Sequence, residues 1–174
     1  ILTAHLGNWE VLGAYFGRLG LPLSAVYDRN DNPVLERRIQ SYRRAANIRF
    51  ADKEAALKEL LAAGREGRSI ALLQDTRVDS GSMIPLFGVP TATTISPAKI
   101  ARRFDYPVVP VEVVREADGR FLLRFHAPLV ARTDLDERES AIELTRRYHA
   151  HLETWIAAHP AQWLCTKRRW PKDA

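Results

Sequence analysis

A single cysteine, Cys165, in 174 residues excludes a disulfide framework and a zinc-finger ligand set. No apolar run approaches the roughly 20 residues that a membrane-spanning helix needs. No charged-then-apolar leader opens the chain. Internal repeats and low-complexity tracts are absent. So is the Gly-x-Ser-x-Gly turn that would present a serine nucleophile. Metal ligands are scarce: His149 and His151 are two apart on one helical pattern and face different sides, so no metal is expected. The one methionine is not at the start. The chain opens on Ile1-Leu-Thr-Ala-His5, which reads as mid-strand, so a truncated fragment is expected, with any membrane anchor in a missing N-terminal part.

What is present describes a globular chain. Length fits one domain, taken as residues 1–174, and 46% apolar with 27% charged residues is ordinary for a packed fold. Cations exceed anions by 26 to 21, and arginine supplies 21 of the cations. That balance favours anionic partners without choosing among nucleic acid, phospholipid and phosphorylated substrate. No recognition-helix or RNA-binding signature accompanies it, so nucleic acid is not expected.

Strand-like and helix-like patterns alternate. Helices are expected over about 9–19, 33–47, from Asp52 (as cap) to Gly64 or Gly67, 96–104 and 137–159. Strands are expected at 1–5, 23–27, 48–51, 69–74, 108–116 and 120–127, the last two joined by Ala117-Asp118-Gly119 as a hairpin. The apolar positions of the third helix are Ala56, Leu57, Leu60 and Leu61, and the apolar stripe of the last is Ile142, Tyr148, Leu152, Trp155 and Ile156. Residues 75–94, with Gly81, Pro85, Gly88 and Pro90, read as a long functional loop. The alternation implies an α/β fold with a mixed β-sheet flanked by helices, and functional groups at strand carboxyl ends.

His5 ends the first strand and Glu10 lies just inside the next helix, with Gly7 as the turn between them. A carboxylate on one ring nitrogen fixes the tautomer, and the other nitrogen can remove a proton from a hydroxyl. The spacing fits a general-base dyad and also a structural histidine beside an ordinary first-turn acid. Cys165 is expected to be a small packed residue. Trp9, Tyr15 and Phe16 suit core packing or an acyl slot. Arg37, Arg38, Arg43 and Arg44 form either a phosphate-binding or a solvated face. Lys167-Arg-Arg-Trp170 is either an interfacial membrane contact or a solvated tail.

Thr3-Ala-His-Leu-Gly-Asn-Trp-Glu10 resembles the signature block of the lipid A biosynthesis acyltransferases, a family similar in fold to the glycerolipid (glycerol-3-phosphate) acyltransferases. Gln74-Asp75, Ile84-Pro-Leu-Phe-Gly-Val-Pro-Thr-Ala-Thr93, Pro107-Val-Val-Pro-Val111 with Arg115, and Pro160-Ala-Gln-Trp-Leu…Arg168-Arg-Trp170 resemble further blocks in the family's order. The chain departs from the pattern at Asp28, where the family has an arginine, at Leu86-Phe87, and at Cys165 and Lys167 in the closing block. The resemblance implies an O-acyltransferase of the 2.3.1 class, with His5 as general base and Glu10 as its partner. It implies substrate contacts at Asn8, Arg29, Gln74, Asp75, Phe87, Gly88, Thr93 and Arg115. It implies no cofactor, an acyl carrier protein or coenzyme A thioester as donor, and a lipid A precursor or similar glycolipid as acceptor. A lysophospholipid or mannosylated lipid is the alternative acceptor, and a non-catalytic basic binding module is the alternative function. Membrane contact at the cytoplasmic face of a bacterial inner membrane is the implied setting.

Overall fold

The computed structural model describes residues 1–27, 30–44, 48–52, 55–165 and 167–172. In chain order its elements are β1 (Leu2–Thr3), α1 (Glu10–Arg18), β2 (Leu23–Tyr27), α2 (Pro33–Arg44), β3 (Ile48–Asp52), α3 (Ala56–Arg65), β4 (Ser69–Leu73), β5 (Ser82–Leu86), β6 (Val89–Thr93), α4 (Ser96–Arg103), β7 (Val111–Arg115), β8 (Phe121–Phe125) and α5 (Glu137–Ala158), followed by a 3₁₀ turn at Pro160–Gln162. They form two compact units: Glu10–Leu72, and Ile1–Trp9 together with Leu73–Ala174. The α/β class expected from the alternation is present.

In the Glu10–Leu72 unit, β2 runs parallel to both β3 and β4, with Leu23 opposite Ile48 on one side and Ser69 on the other. Leu12 and Phe16 of α1, Leu60 and Ala63 of α3, and Leu23, Ala51 and Ile70 of the strands are buried. Asn32 caps α2 as expected: its side-chain oxygen accepts from the Val34 and Leu35 amides at 2.9 and 3.3 Å. The end expected for this helix near Asn47 lies outside the described residues. Asp52 does not cap α3. It is the last residue of β3, and the helix begins at Ala56 with Ala55 in the cap position and no side-chain cap bond. Leu57, expected among the apolar positions of α3, is exposed, while Leu60 is buried.

The other unit is built around α5. Asp136 caps this helix by accepting from the Glu139 amide at 2.8 Å. Leu144, Tyr148, Leu152, Trp155 and Ile156 fill the core, whereas Ile142 of the expected stripe is only half-buried. The Tyr148 hydroxyl donates to Thr3 O at 2.7 Å and so ties α5 to the end of β1. β1 joins β7 through Leu2 N to Val109 O at 3.0 Å. β7 and β8 form the expected hairpin, with Val111 opposite Phe125. The antiparallel hairpins form sheets of their own rather than joining the parallel strands β2 and β3.

Residues 75–94 are not a structureless loop. They contain a second hairpin, β5–β6, closed by Phe87-Gly88 with both residues at positive φ, 53° and 75°. That is the backbone of the tightest hairpin turn. Pro85 faces Pro90 across the pair. Beside a two-residue turn the first facing pair, Leu86 with Val89, is hydrogen-bonded and the next is not. The prolines therefore occupy a pair that needs no amide donor, and a sequence rich in proline can still form a ladder.

Of the closing residues, Lys167 and Arg168 are exposed, whereas Arg169 and Trp170 are packed into the fold. Arg169 is 1% exposed. It donates to Ala92 O at 3.0 Å and Thr93 Oγ1 at 2.6 Å. Trp170 Nε1 donates to Leu86 O at 3.1 Å. Cys165, expected to pack, is exposed. No helix among the described residues is long and apolar enough to cross a membrane.

His149 is buried on α5 and its Nδ1 meets Pro85 O at 2.7 Å. Burial holds its imidazole below the ordinary value of 6.5. As the pH falls below about 6.5 the unfolded chain takes up a proton here that the folded protein does not, so stability falls on acidification. His149→Asn retains a donor for Pro85 O and cannot titrate. Thermal unfolding compared at about pH 7.5 and about pH 5.5 should show a smaller acid loss in the variant than in the parent protein.

Candidate active site

The turn after β1 is held from two sides. Its backbone pairs with the segment after α5: Gly7 N donates to Gln162 O at 3.0 Å and Leu164 N to His5 O at 2.8 Å. Gln162 in turn closes its side-chain amide on Arg115, accepting from the Arg115 amide at 2.8 Å and donating to its carbonyl at 3.0 Å. Gly7 has φ +58°, and a Cβ on it would lie 2.5 Å from Val113 O. The sharp, close turn that the sequence reading assigned to Gly7 thus requires glycine. The alternation Ala4 and Leu6 in, His5 out, brings the imidazole to a partly open position with the side chain 22% exposed.

His5 Nδ1 meets Asp75 Oδ1 at 2.7 Å. The other carboxylate oxygen, Oδ2, accepts from the His5 amide and from Trp163 Nε1, each at 2.9 Å. The Asp75 side chain is 1% exposed. An ionised carboxylate only accepts, so Nδ1 carries the imidazole proton and Nε2 presents its lone pair. Two further groups interact with Asp75. The Arg169 guanidinium, which burial pushes below its usual range, is favoured in its charged form by this carboxylate. The Tyr148 phenol is pushed well up, first by burial and then by the negative charge of Asp75, so it stays neutral.

A cleft of about 720 Å³ opens next to Trp9 and Trp163, which contact this pair. Gly7, Trp9, Trp163, Leu164 and Arg115 are among the residues that line it. The Trp9 ring stands edge-on to His5 with centroids 4.7 Å apart. Two side chains of the cleft wall, Trp9 and Trp163, thus also touch the imidazole and its carboxylate partner.

The structure places the expected site residues unequally. His5 and Asp75 come together, and Arg115 reaches the cleft. Gln74 is buried beside Asp75, with its backbone amide on Thr3 O at 3.0 Å and its Nε2 on Thr94 O at 2.8 Å. Asn8 is exposed in the turn before α1. Phe87 and Gly88 form the β5–β6 turn, where the Phe87 amide donates to Glu153 on α5 at 2.6 Å. Thr93 is fully buried and its hydroxyl serves Arg169. Arg29 lies outside the described residues, as does Asp28. Glu10 opens α1 in the other unit and is ion-paired with Arg43. The Arg43 guanidinium lies 4.6 Å over the Phe50 ring and 5.4 Å over that of Tyr27. Arg43 is therefore not part of a purely solvated face, whereas Arg37 and Arg38 are exposed. Phe16 is buried and Tyr15 is 39% exposed. Among the described residues no cluster of histidine, cysteine and carboxylates could hold a metal ion.

Residues 1–172 match the family described as bacterial lipid A biosynthesis acyltransferase. The chain belongs to this family. It is also similar to a phosphatidylinositol mannoside acyltransferase of Mycolicibacterium smegmatis, strain ATCC 700084 / mc(2)155, at 27% identity over 97% of the chain. The chain spans 55% of that relative's length. Within the lipid A acyltransferase family reading, the sequence missed two residues, Gln162 and Trp163. Both stand in the closing block that resembled the family, but no spacing rule links a residue near the C-terminus to a carboxylate 88 positions earlier.

Gly7→Ala is expected to strain the turn and force Val113 aside. A left-handed alanine alone costs about 1–2 kcal/mol, and the overlap adds to it. Denaturant unfolding should show at least that loss.

Proposed function

We propose that the chain carries the catalytic centre of an O-acyltransferase that moves a fatty acyl group from a thioester to a hydroxyl of a glycolipid. The observation that carries this reading is the His5–Asp75 pair beside an open cleft, in a chain of this family. His5 Nε2 takes the proton from the acceptor hydroxyl as its oxygen attacks the thioester carbonyl. Asp75, buried and on Nδ1, stabilises the imidazolium that forms. Collapse of the tetrahedral intermediate breaks the carbon–sulfur bond, and the imidazolium returns the proton to the leaving thiolate. The products are an ester and a free thiol, and no acyl-enzyme is needed. Glu10 completes the His-x4-Glu motif and opens the second unit.

The donor is an acyl carrier protein or coenzyme A thioester, and a lipid A precursor is the acceptor that the family description favours. A mannosylated phosphatidylinositol is a second reading, favoured by the mycobacterial relative. The reaction takes place at the cytoplasmic face of the bacterial inner membrane. The composition of α2 supports a membrane surface as partner: Val34, Leu35 and Tyr42 are exposed beside Arg37 and Arg38.

The test supplies both thioester donors and both acceptor classes to the purified protein and identifies the ester by mass spectrometry. Transfer to one glycolipid class is expected, with losses of about 10²–10⁴ in rate for His5→Ala and for Asp75→Asn in folded protein. Normal turnover by folded His5→Ala would sink the reading. Glu10→Gln, assayed in parallel, separates the two carboxylates: a loss larger than that of Asp75→Asn would move the partner role from Asp75 to the motif's own acid.

A further inference from the structure

Asp75 can serve His5 only while its carboxylate is held in one orientation. Oδ1 points to Nδ1, and Oδ2 receives the His5 amide and the Trp163 indole. The His5 amide belongs to the same residue as the ring it helps to position. Trp163 is the donor that reaches this carboxylate from another part of the chain. We propose that Trp163 is a positioning residue of the acyl-transfer site, whose indole N–H locks Asp75 so that the imidazole proton stays on Nδ1 and the lone pair on Nε2. This rests on the reading of His5 as the general base.

The chemistry of the donor supports the role. An indole N–H donates and cannot accept. A hydroxyl in its place could turn round and accept from a protonated Asp75; the indole cannot. Oδ2 therefore stays an acceptor, and a donated N–H bond of this kind favours the carboxylate that Nδ1–H faces. The indole is itself fixed. The Trp163 backbone bridges to Leu6, and Gln162 next to it is closed on Arg115. The Trp170 ring stands edge-on at 5.9 Å. The groups that bear on Asp75 besides Trp163 are the His5 ring and amide, the Arg169 guanidinium and the neutral Tyr148 phenol. Arg169 adds charge but donates its bonds to Ala92 O and Thr93 Oγ1. Trp163 also lines the cleft, so a substrate in the cleft sits against the residue that sets the pair.

The experiment compares wild type, Trp163→Phe, Asp75→Asn and the double variant, with Trp170→Phe as control. Trp170 also loses an indole bond, to Leu86 O, but that bond does not reach Asp75. Two quantities are read: kcat and KM for acyl transfer, and the proton resonance of His5 Nδ1 by NMR without substrate. Trp163→Phe should lower kcat about tenfold at nearly unchanged KM. It should move the Nδ1 proton further downfield, because a carboxylate that loses a donor accepts more strongly from the remaining one. In the Asp75→Asn background the same substitution should have no further effect on kcat, and Trp170→Phe, which keeps an aromatic ring against Trp163 and every donor of Asp75, should leave the Nδ1 proton unshifted. An unshifted Nδ1 proton in folded Trp163→Phe overturns the proposal, and so does an equal loss of kcat in both backgrounds. If the phenylalanine variant does not fold, the sulfur isostere of tryptophan, 3-benzothienylalanine, placed at position 163 removes the N–H at constant shape and gives the same readouts. A protein with no acyltransferase activity whose Nδ1 proton still shifts would keep the positioning role and reject the reaction.

Discussion

A carboxylate withdrawn from water must be surrounded by donors or give up its charge. Asp75 meets this constraint with the His5 ring and amide from the turn after β1 and the Trp163 indole from the segment after α5. Each donor is tied down by its own local structure. The turn needs glycine at position 7 because Val113 leaves no room for a side chain. The C-terminal segment needs Gln162 to anchor it on the end of β7. The strand ends, the turn and the chain's last segment thus meet at one buried charge.

The same economy appears at Arg169 in the same unit. Arg169 is taken out of water by the folding of the C-terminus, and it satisfies β6 through Ala92 O and Thr93 Oγ1. Its charge and that of Asp75 have opposite sign and act on each other across the same interior. Tyr148 stays neutral there and uses its hydroxyl to hold the end of β1. The Thr93 hydroxyl therefore serves the interior, although its motif suggested a substrate contact.

For catalysis, the arrangement separates what must be dry from what must be open. The carboxylate is enclosed, which strengthens its hydrogen bonds and keeps water from competing. The imidazole is partly exposed at a cleft with two tryptophans in its wall. The proposed direct transfer through His5 needs no nucleophilic side chain, which agrees with the missing serine elbow and the exposed Cys165 that bonds Lys167 O.

Much of this was legible in the residues. Periodicity and capping residues located α1, α2, α4 and α5 and the strands β2, β3, β4, β7 and β8 to within a few residues, because those signals depend on neighbours along the chain. The ordered motifs pointed to the family, and Gly7 announced its turn. Tertiary structure decided the rest. Leu57 was exposed and Ile142 half-buried because a helix position's burial depends on what packs against it. The β5–β6 hairpin was hidden by its prolines, whose harmlessness depends on cross-strand register. Lys167-Arg-Arg-Trp170 read as either a membrane contact or a solvated tail, because a local sequence carries no sign of the interior that receives Arg169 and Trp170. The sequence placed His5 by its motif and named Asp75 among the substrate contacts. Only the fold could bring an aspartate 70 residues on, and a tryptophan near the chain's end, to one imidazole, since contacts at such separation are fixed by packing and by the need to satisfy buried charge.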